Sequence, residues 1–231
     1  MRKNKMAAYT ILIADDHPLM RAALRQAVSQ ALPGVEILEA GSFDQAMDTI
    51  SGREDGIDLI LLDLHMPGMN GFIGLFLLRG EHPAIPVIVV SALEDATTVH
   101  RAMDYGASGF VPKSAPVAQI SDAIGTVLEG GVWFPEMDAA LPEELTDEPD
   151  FADRIGALTP QQLRVLAGIT AGKLNKQIAY ELNVSEATVK AHVTVILRKL
   201  GLYSRTQVII AAGRLVVEAP RDEQPGRVSG H

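Results

Sequence analysis

Residues 59–71 read LILLDLHMPGMNG, an apolar run that ends in an aspartate and a Pro-Gly turn. Four consecutive aliphatic residues bounded by turn signals are typical of a strand that is covered on both faces, as in a parallel sheet. Similar runs lie on either side of this one along the first half of the chain. We expect strands over Tyr9–Ala14, Val35–Leu38, Leu59–Leu62, Val87–Val90 and Gly109–Val111.

Helical patterns fall between these apolar runs. A helix from Pro18 to Leu32 follows the first run, and Ser42 with Gln45 forms a capping box for the next helix. Further helices are predicted over residues 71–79, 95–105 and 116–129. Five alternating strand–helix units predict a doubly wound α/β domain with a five-stranded parallel sheet. Ligands of such sheets bind beyond the carboxyl ends of the strands.

Polar residues follow four of the five predicted strands. They are Asp15 and Asp16 after the first strand, Asp63 after the third, Ser91 after the fourth and Lys113 after the fifth. Crowded carboxylates raise each other's pKa unless a cation intervenes, and Mg²⁺ with its preference for oxygen ligands is the simplest candidate. A carboxylate beside Mg²⁺ can accept a phosphoryl group. The set therefore predicts a magnesium-dependent phosphoryl-accepting site.

Charge is divided unevenly along the chain, which carries a net charge of −9. Residues 1–153 contain 9 Lys or Arg against 24 Asp or Glu, whereas residues 154–217 contain 9 against 2. Residues 136–153 hold eight acids, no bases and two prolines, a composition typical of an extended linker. We expect one domain over 1–134, an acidic linker over 135–153, a basic domain over 154–217 and a disordered tail over 218–231.

The basic part carries the signals of a four-helix domain with a helix-turn-helix arrangement. Thr159, Ser185 and Ser204 are the predicted N-caps, and Asn183-Val184 forms the tight turn before the third helix. The helices are predicted over 160–171, 175–182, 186–200 and 205–217.

The third of these helices has one apolar stripe and an opposite face suited to the major groove of DNA. Val189, Val193, Ile196 and Leu200 recur at helical spacing and form the buried stripe. Small residues and cations lie opposite, where Lys can donate to guanine and a methyl group can contact thymine. Other cations would neutralise backbone phosphates. The predicted DNA-contacting residues are Lys173, Lys176, Thr188, Lys190, Ala191, Thr194, Arg198, Lys199 and Arg205.

The first half of the chain resembles a known domain in the segments IADDHPLMR, LILLDLHMPGMNG, VIVVSA and GASGFVPKSA. They are similar to the receiver domain of two-component response regulators. The resemblance implies that Asp63 is the phospho-acceptor and that Mg²⁺ is held by Asp15, Asp16, Asp63 and the backbone carbonyl of His65. It further implies that the Ser91 hydroxyl follows the phosphate, that Phe110 is the switch aromatic and that Lys113 pairs with a phosphoryl oxygen.

The second half, over about 155–215, resembles the LuxR-type DNA-binding domain of the NarL/FixJ family in NKQIA, SEATVKAHV and ILRKL. This resemblance implies a recognition helix over 186–200, a fourth helix that can dimerise, and double-stranded DNA as the partner. Together the halves imply a transcriptional regulator that a sensor histidine kinase, or a small phosphodonor such as acetyl phosphate, phosphorylates on Asp63. Expected further partners are a second copy, at least after phosphorylation, and RNA polymerase. Phosphorylation would either uncover the 186–200 helix or promote dimers on two half-sites.

The composition excludes several other classes of protein. The chain has no cysteine, which excludes a disulfide framework, thiolate zinc sites and cysteine nucleophiles and suits a reducing, cytoplasmic location. No apolar run approaches 18 residues, so we expect no membrane span.

Two alternatives come from other functional classes. A phosphatase would use Asp63 as a transient nucleophile, but such enzymes usually carry a second Asp two positions on, where this chain has His65. We therefore expect a switch and no enzyme. The other alternative is a DNA-binding protein that ignores phosphorylation and uses its first domain only for dimerisation.

Overall fold

The computed structural model describes residues 9–53, 56–69, 71–136 and 148–217. Its strands are β1 (Thr10–Ala14), β2 (Glu36–Ala40), β3 (Leu59–Asp63), β4 (Val87–Ser91) and β5 (Gly109–Pro112). They form one parallel sheet in the order β2-β1-β3-β4-β5. The predicted fold class is confirmed, and all five strands overlap the apolar runs from which they were predicted.

Helices cover both faces of this sheet, which explains why its central strands are aliphatic without alternation. The helices are α1 (Pro18–Ala31), α2 (Phe43–Ser51), α3 (Phe72–Glu81), α4 (Ala96–Asp104) and α5 (Val117–Leu128). α1 and α5 pack on one face, and α2, α3 and α4 pack on the other. Ser42 caps α2 by accepting from the Gln45 N–H, as predicted, while the Gln45 side chain accepts from the Gly41 N–H.

The second domain is a helical bundle of α6 (Glu148–Gly156), α7 (Pro160–Thr170), α8 (Asn175–Glu181), α9 (Glu186–Leu200) and α10 (Arg205–Ala212), followed by a 3₁₀ turn (Gly213–Leu215). Thr159, Ser185 and Ser204 are N-caps, as predicted. Asn183 adopts a φ of 51° in the turn between α8 and α9, a conformation that asparagine tolerates. α10 ends at Ala212 and not at 217, because the chain tightens into the 3₁₀ turn.

α6 corrects the predicted linker. Residues 148–153 were expected to be extended, yet they form most of a helix that packs against α9 and the first domain. Ala152 and Ile155 are buried and Phe151 is partly buried, so the helix has an apolar side despite its acids. Residues 137–147 of that predicted linker and the predicted tail over 218–231 lie outside the described residues.

α3 joins the two domains. Its residues 72–78 are all buried, because one side of α3 faces the sheet and another faces α6 and α7. A single apolar cluster therefore runs from the sheet into the second domain. At the edge of this contact, Arg164 of α7 forms an ion pair with Glu81 of α3, with 2.5 Å between Nη2 and Oε1.

The loop before α3 also contacts the second domain. Gly71 has a φ of 57°, and a Cβ there would lie 2.3 Å from the Leu215 carbonyl oxygen and 2.8 Å from the Val217 amide nitrogen. Only glycine allows this approach of two backbones.

Among the helices of the described residues, none combines the length and the apolar character that crossing a bilayer requires.

Candidate functional site

Three side chains from separate strand ends meet at the carboxyl edge of the sheet. Asp15 follows β1, Asp63 ends β3, and Lys113 follows β5. The Lys113 ammonium Nζ lies 2.8 Å from Asp63 Oδ2 and 2.8 Å from Asp15 Oδ2. Both carboxylates are buried, at 0% and 1% exposure. The structure therefore brings together the three residues on which the predicted phosphoryl chemistry depends most.

The charge of Lys113 is fixed by these two carboxylates. Burial disfavours its charged form, but hydrogen bonds and coulombic attraction to Asp15 and Asp63 outweigh burial, so the pKa of Lys113 is raised above its ordinary value of 10.5. Lys113 is consequently an ammonium at neutral pH. It supplies one positive charge to a site that holds more than one negative charge.

The site has the donor set of a hard divalent cation. Oxygens of Asp15, Asp16 and Asp63 and a ring nitrogen of His17 lie within 4.8 Å of one another. Lys113 compensates only part of this carboxylate charge, which leaves an anionic oxygen cluster of the kind that Mg²⁺ prefers. His17 directly precedes α1, and its Nδ1 lies 2.6 Å from Asp16 Oδ1.

Backbone amides hold the two buried carboxylates in place. The His17 N–H donates to Asp15 Oδ1 at 2.7 Å, and the His65 N–H donates to Asp63 Oδ1 at 3.1 Å. His65 thus contacts the site through its backbone, while its buried Nε2 has no hydrogen-bond partner in the described part of the chain. These bonds leave Asp63 Oδ1 and Oδ2 fixed in direction before any ligand arrives.

Ser91 and Phe110 lie on the two neighbouring strands. Ser91 ends β4, is fully buried, and its Oγ accepts the Leu93 N–H at 3.1 Å. Phe110 is fully buried in β5 and belongs to the apolar cluster that continues through α3 into the second domain. Ser91 therefore lies at the carboxyl end of β4, next to the strand that ends in Asp63. Phe110, on the following strand, belongs to the apolar cluster that the two domains share.

Arg21 is a residue of this site that the sequence interpretation missed. From α1, its Nη1 donates to the Asp15 carbonyl oxygen at 2.7 Å and its Nε donates to Glu39 Oε2 of β2 at 3.2 Å. Arg25, one turn later, also pairs with Glu39. The spacing of Arg21 one helical turn after His17 could have suggested a side chain that folds back over the β1–α1 turn.

The outward face of α9 is open to solvent. The side chains of Ala187, Lys190, Ala191, Thr194 and Arg198 are exposed, and Thr188 is half-buried. Val189, Ile196 and Leu200 of the opposite stripe are buried and Val193 is partly buried. Lys190 forms an i,i+4 ion pair with Glu186 at 3.0 Å on this face. In this arrangement the first domain leaves the outward face of α9 uncovered.

Two of the predicted DNA-contacting cations, Lys199 and Arg205, have hydrogen-bond partners within the domain. Lys199 Nζ donates to the Ala157 carbonyl at 2.6 Å and to Gln162 Oε1 at 3.0 Å. Arg205 donates to Asn175 Oδ1 at 3.0 Å and to the Lys173 carbonyl. Lys173 itself pairs with Glu181 at 2.7 Å, whereas Lys176 is exposed. Lys199 and Arg205 therefore tie helices together.

Comparison with known proteins matches both domains. Residues 11–125 match the response regulator receiver domain, and residues 156–212 match the bacterial regulatory proteins of the luxR family. The chain is 47% identical to the "Glycerol metabolism activator" of Pseudomonas putida, over 89% of this chain and 95% of that protein. It is 36% identical to the nitrate/nitrite response regulator protein NarP of Escherichia coli (strain K12), over 87% and 93%.

The chain is a response regulator of the NarL/FixJ family. Its fold is also similar to that of RcsB from Salmonella enterica serovar Typhimurium bound to promoter DNA, with a TM-score of 0.51 at 20% identity, covering 91% of this chain and 100% of that one. As a NarL/FixJ regulator it is a DNA-binding transcription regulator and not an enzyme, as predicted. The first domain is accordingly called the receiver and the second the DNA-binding domain.

Proposed function

We propose that this regulator is switched by phosphorylation of Asp63. The observation that carries the proposal is the convergence of the Lys113 ammonium on Asp63 and Asp15 beside a third carboxylate, Asp16. Asp63 is buried, fixed by the His65 N–H, and already paired with the cation that would meet a phosphoryl oxygen. The site is therefore organised to receive a phosphoryl group on Asp63, with Lys113 in place to pair with its negative charge.

The chemistry is the transfer of a phosphoryl group from a donor to a carboxylate. A carboxylate oxygen of Asp63 attacks phosphorus, and the bond to the imidazole of a kinase phosphohistidine, or to the acetate of acetyl phosphate, breaks. Mg²⁺, held by Asp15, Asp16, Asp63 and the His65 carbonyl, would neutralise the oxygens of the transferring group. Lys113 pairs with a phosphoryl oxygen, and the Ser91 hydroxyl donates to another.

Phosphorylation would reach the DNA-binding domain by two contacts. Phe110 shares its apolar cluster with α3, and α3 packs directly on α6 and α7. Met66, Met69 and Gly71 of the loop before α3 also line a cleft of about 530 Å³, together with Asp16 of the receiver and Val217 of the second domain. A rearrangement of Ser91, Phe110 and this loop therefore biases how the two domains pack, and packed interfaces respond as two-state elements.

Of the two ways in which the switch could act, the structure favours dimerisation. The outward face of α9 is exposed in this arrangement of the two domains, which leaves the first domain little of α9 to uncover. α10 meanwhile exposes apolar Ile209 and Ile210, at 41% and 72%, a surface suited to a second copy. We infer that phosphorylation promotes a homodimer whose two α9 helices occupy successive major grooves. A related fold, RcsB, is described as dimers bound to DNA.

The remaining proposed contacts follow from this function. Lys173, Lys176, Thr188, Lys190, Ala191, Thr194 and Arg198 form the proposed DNA-contacting set, from which Lys199 and Arg205 are omitted for their internal bonds. A sensor histidine kinase in the cytoplasm would supply phosphate. The name of the Pseudomonas putida relative supports activation, which would make RNA polymerase a partner.

The direct test is intact mass spectrometry after incubation with Mg²⁺ and acetyl phosphate. We expect the parent to gain one phosphoryl group that persists for minutes or longer, Asp63→Asn to gain none, and Asp122→Asn, a change of an exposed carboxylate on α5, to behave as the parent. Equal labelling of the Asp63→Asn variant would overturn the proposal. Rapid steady turnover of acetyl phosphate without a lasting phospho-form would instead support the phosphatase alternative.

A further inference from the structure

The three carboxylates of the acidic site are not restrained equally. Asp15 and Asp63 each accept a backbone N–H, and each pairs with Lys113. The Asp16 carboxylate is paired with His17, whose ring is 64% exposed. A solvent-exposed ion pair is a weak restraint on the direction of a side chain. The direction of Asp16 therefore depends on the backbone that carries it.

Arg21 fixes that backbone. Its Nη1 donates at 2.7 Å to the Asp15 carbonyl oxygen, which belongs to the peptide unit that joins Asp15 to Asp16. Because a peptide unit is planar, holding its oxygen holds the plane and with it the Cα of Asp16. Asp15 N–H, on the other side of the residue, donates to the Ala40 carbonyl at 3.1 Å. The turn is thus held from both sides, once by β2 and once by Arg21.

Glu39 holds the guanidinium in position. Arg21 is 21% exposed, and its Nε donates to Glu39 Oε2 at 3.2 Å while Nη1 reaches the carbonyl. The planar fork of arginine can make both bonds at once, whereas the ammonium of lysine lacks that geometry. Arg25 pairs with the other oxygen of Glu39 and is 55% exposed, but its contacts do not include the Asp15 carbonyl.

We propose that Arg21, held by Glu39, is a positioning residue that orients the Asp15–Asp16 peptide for divalent-cation binding and so sets the Mg²⁺ affinity of the site. This inference rests on the proposed function. It makes a prediction opposite in sign to simple electrostatics, since removing a nearby positive charge should by itself strengthen the binding of a dication. Partners that orient metal ligands change metal affinity by about 10- to 100-fold when removed.

The test is calorimetric titration of Mg²⁺ into the full chain, with Arg21→Ala compared with Arg25→Ala. Both variants lose one positive charge and one contact with Glu39, but only Arg21→Ala loses the carbonyl bond. We expect the Kd for Mg²⁺ to rise at least about tenfold in Arg21→Ala and to stay constant or fall in Arg25→Ala. Arg21→Lys should fall between the parent and Arg21→Ala, because lysine can restore only one of the two bonds.

A second readout separates positioning from general loss of structure. The rate of phosphorylation by acetyl phosphate should be slow in Arg21→Ala at limiting Mg²⁺ and return to the parent rate at saturating Mg²⁺. An equal or lower Kd in Arg21→Ala than in the parent overturns the role of Arg21, as does a rate that saturating Mg²⁺ does not restore. If the parent itself binds no Mg²⁺, the proposed function fails. That outcome is distinguishable from a failure of the role of Arg21, in which the parent binds Mg²⁺ and Arg21→Ala binds it equally well.

Discussion

The acidic site of the receiver and the outward face of α9 are built in opposite ways. In the acidic site, Asp15, Asp63 and Lys113 are buried or nearly so, and each already has an ionic partner at 2.8 Å. On α9, the corresponding cations Lys190 and Arg198 are exposed to solvent. The first region must align charges before a reaction and therefore holds them rigidly. The second region is the proposed DNA-contacting face; it is exposed, with Lys190 in a solvent-exposed ion pair with Glu186, so its side chains can adjust to a duplex.

The largest predicted effect comes from breaking the rigid region. Lys113→Met leaves two buried carboxylates without their cation, so we expect the free energy of unfolding to fall by about 3 kcal/mol in urea denaturation without Mg²⁺. Because the pKa of Lys113 is raised above 10.5 by its two carboxylate partners, its stabilisation is present at neutral pH and is lost as pH rises through the folded-state pKa. The loss should therefore be constant across the neutral range.

Added Mg²⁺ should narrow the difference in the free energy of unfolding between the parent and Lys113→Met, since the dication replaces the missing positive charge. Lys176→Met, on the exposed surface of α8, is the matched control and should leave the free energy of unfolding unchanged. A loss in Lys113→Met that is equal with and without Mg²⁺ would contradict a shared site for the ammonium and the ion.

The second prediction concerns self-association through α10. Ile210→Glu places a charge on an apolar surface that we expect to be covered in the dimer, so the dimerisation free energy should weaken by about 2 kcal/mol. Sedimentation of the phosphorylated chain measures this directly. Val132→Glu, which is comparably exposed on the receiver, should leave the dimer intact. Unchanged dimerisation in Ile210→Glu would move the interface elsewhere.

The third prediction contrasts two adjacent cations of α9. Arg198 is exposed, so Arg198→Ala should weaken DNA binding by about 1 kcal/mol and reduce the salt dependence by about one ion, while the fold keeps its stability. Lys199 bonds to Ala157 and Gln162, so Lys199→Ala should lower the free energy of unfolding by about 1 kcal/mol. Fluorescence anisotropy and thermal unfolding of both variants measure the two effects. The reverse pattern would show that the outward face has been assigned wrongly.

The smallest predicted effect lies between the two regions. Arg164→Glu places two acids opposite each other at the α3–α7 contact and should weaken the packing of the two domains against each other. The double variant that also carries Glu81→Arg should restore that packing, because it re-forms the ion pair in reverse. Both side chains are partly exposed, so we expect a coupling below about 1 kcal/mol. Small-angle scattering and limited proteolysis should show a more extended chain in the single variant only. A double variant as extended as the single one would argue against this contact.

The sequence was sufficient to predict the acidic site because its geometry follows from the strands. Asp15, Asp63 and Lys113 come at the ends of apolar runs, and parallel strands bring such ends to one edge. Arg21 could not be assigned in this way, since its role depends on a carbonyl and on Glu39 of another strand. The internal bonds of Lys199 and Arg205, which were predicted as DNA contacts, could not be predicted for the same reason, because their partners lie at least 30 residues away along the chain.

α6 shows how composition can conceal a pattern. The acids of residues 136–153 predicted an extended chain, but Phe151, Ala152 and Ile155 share one side at helical spacing. That stripe was visible in the sequence and was outweighed by net charge. Packing against α9 and the receiver supplied the apolar surface that makes the helix form. The contact of α3 with α6 and α7 likewise depends on tertiary packing, so its position on α3 could not be predicted from local sequence.

The central claim is that a phosphoryl group on Asp63 governs how the basic domain binds DNA. The most direct measurement is the DNA affinity of one sample before and after treatment with Mg²⁺ and acetyl phosphate, with its phosphoryl content read by intact mass. The probe is a duplex selected from a random-sequence library by the phosphorylated chain. We predict that the parent binds at least about tenfold more tightly after treatment and that Asp63→Asn does not change. Affinity that stays constant in a parent shown to carry the phosphoryl group, or that tightens equally in Asp63→Asn, would contradict the account.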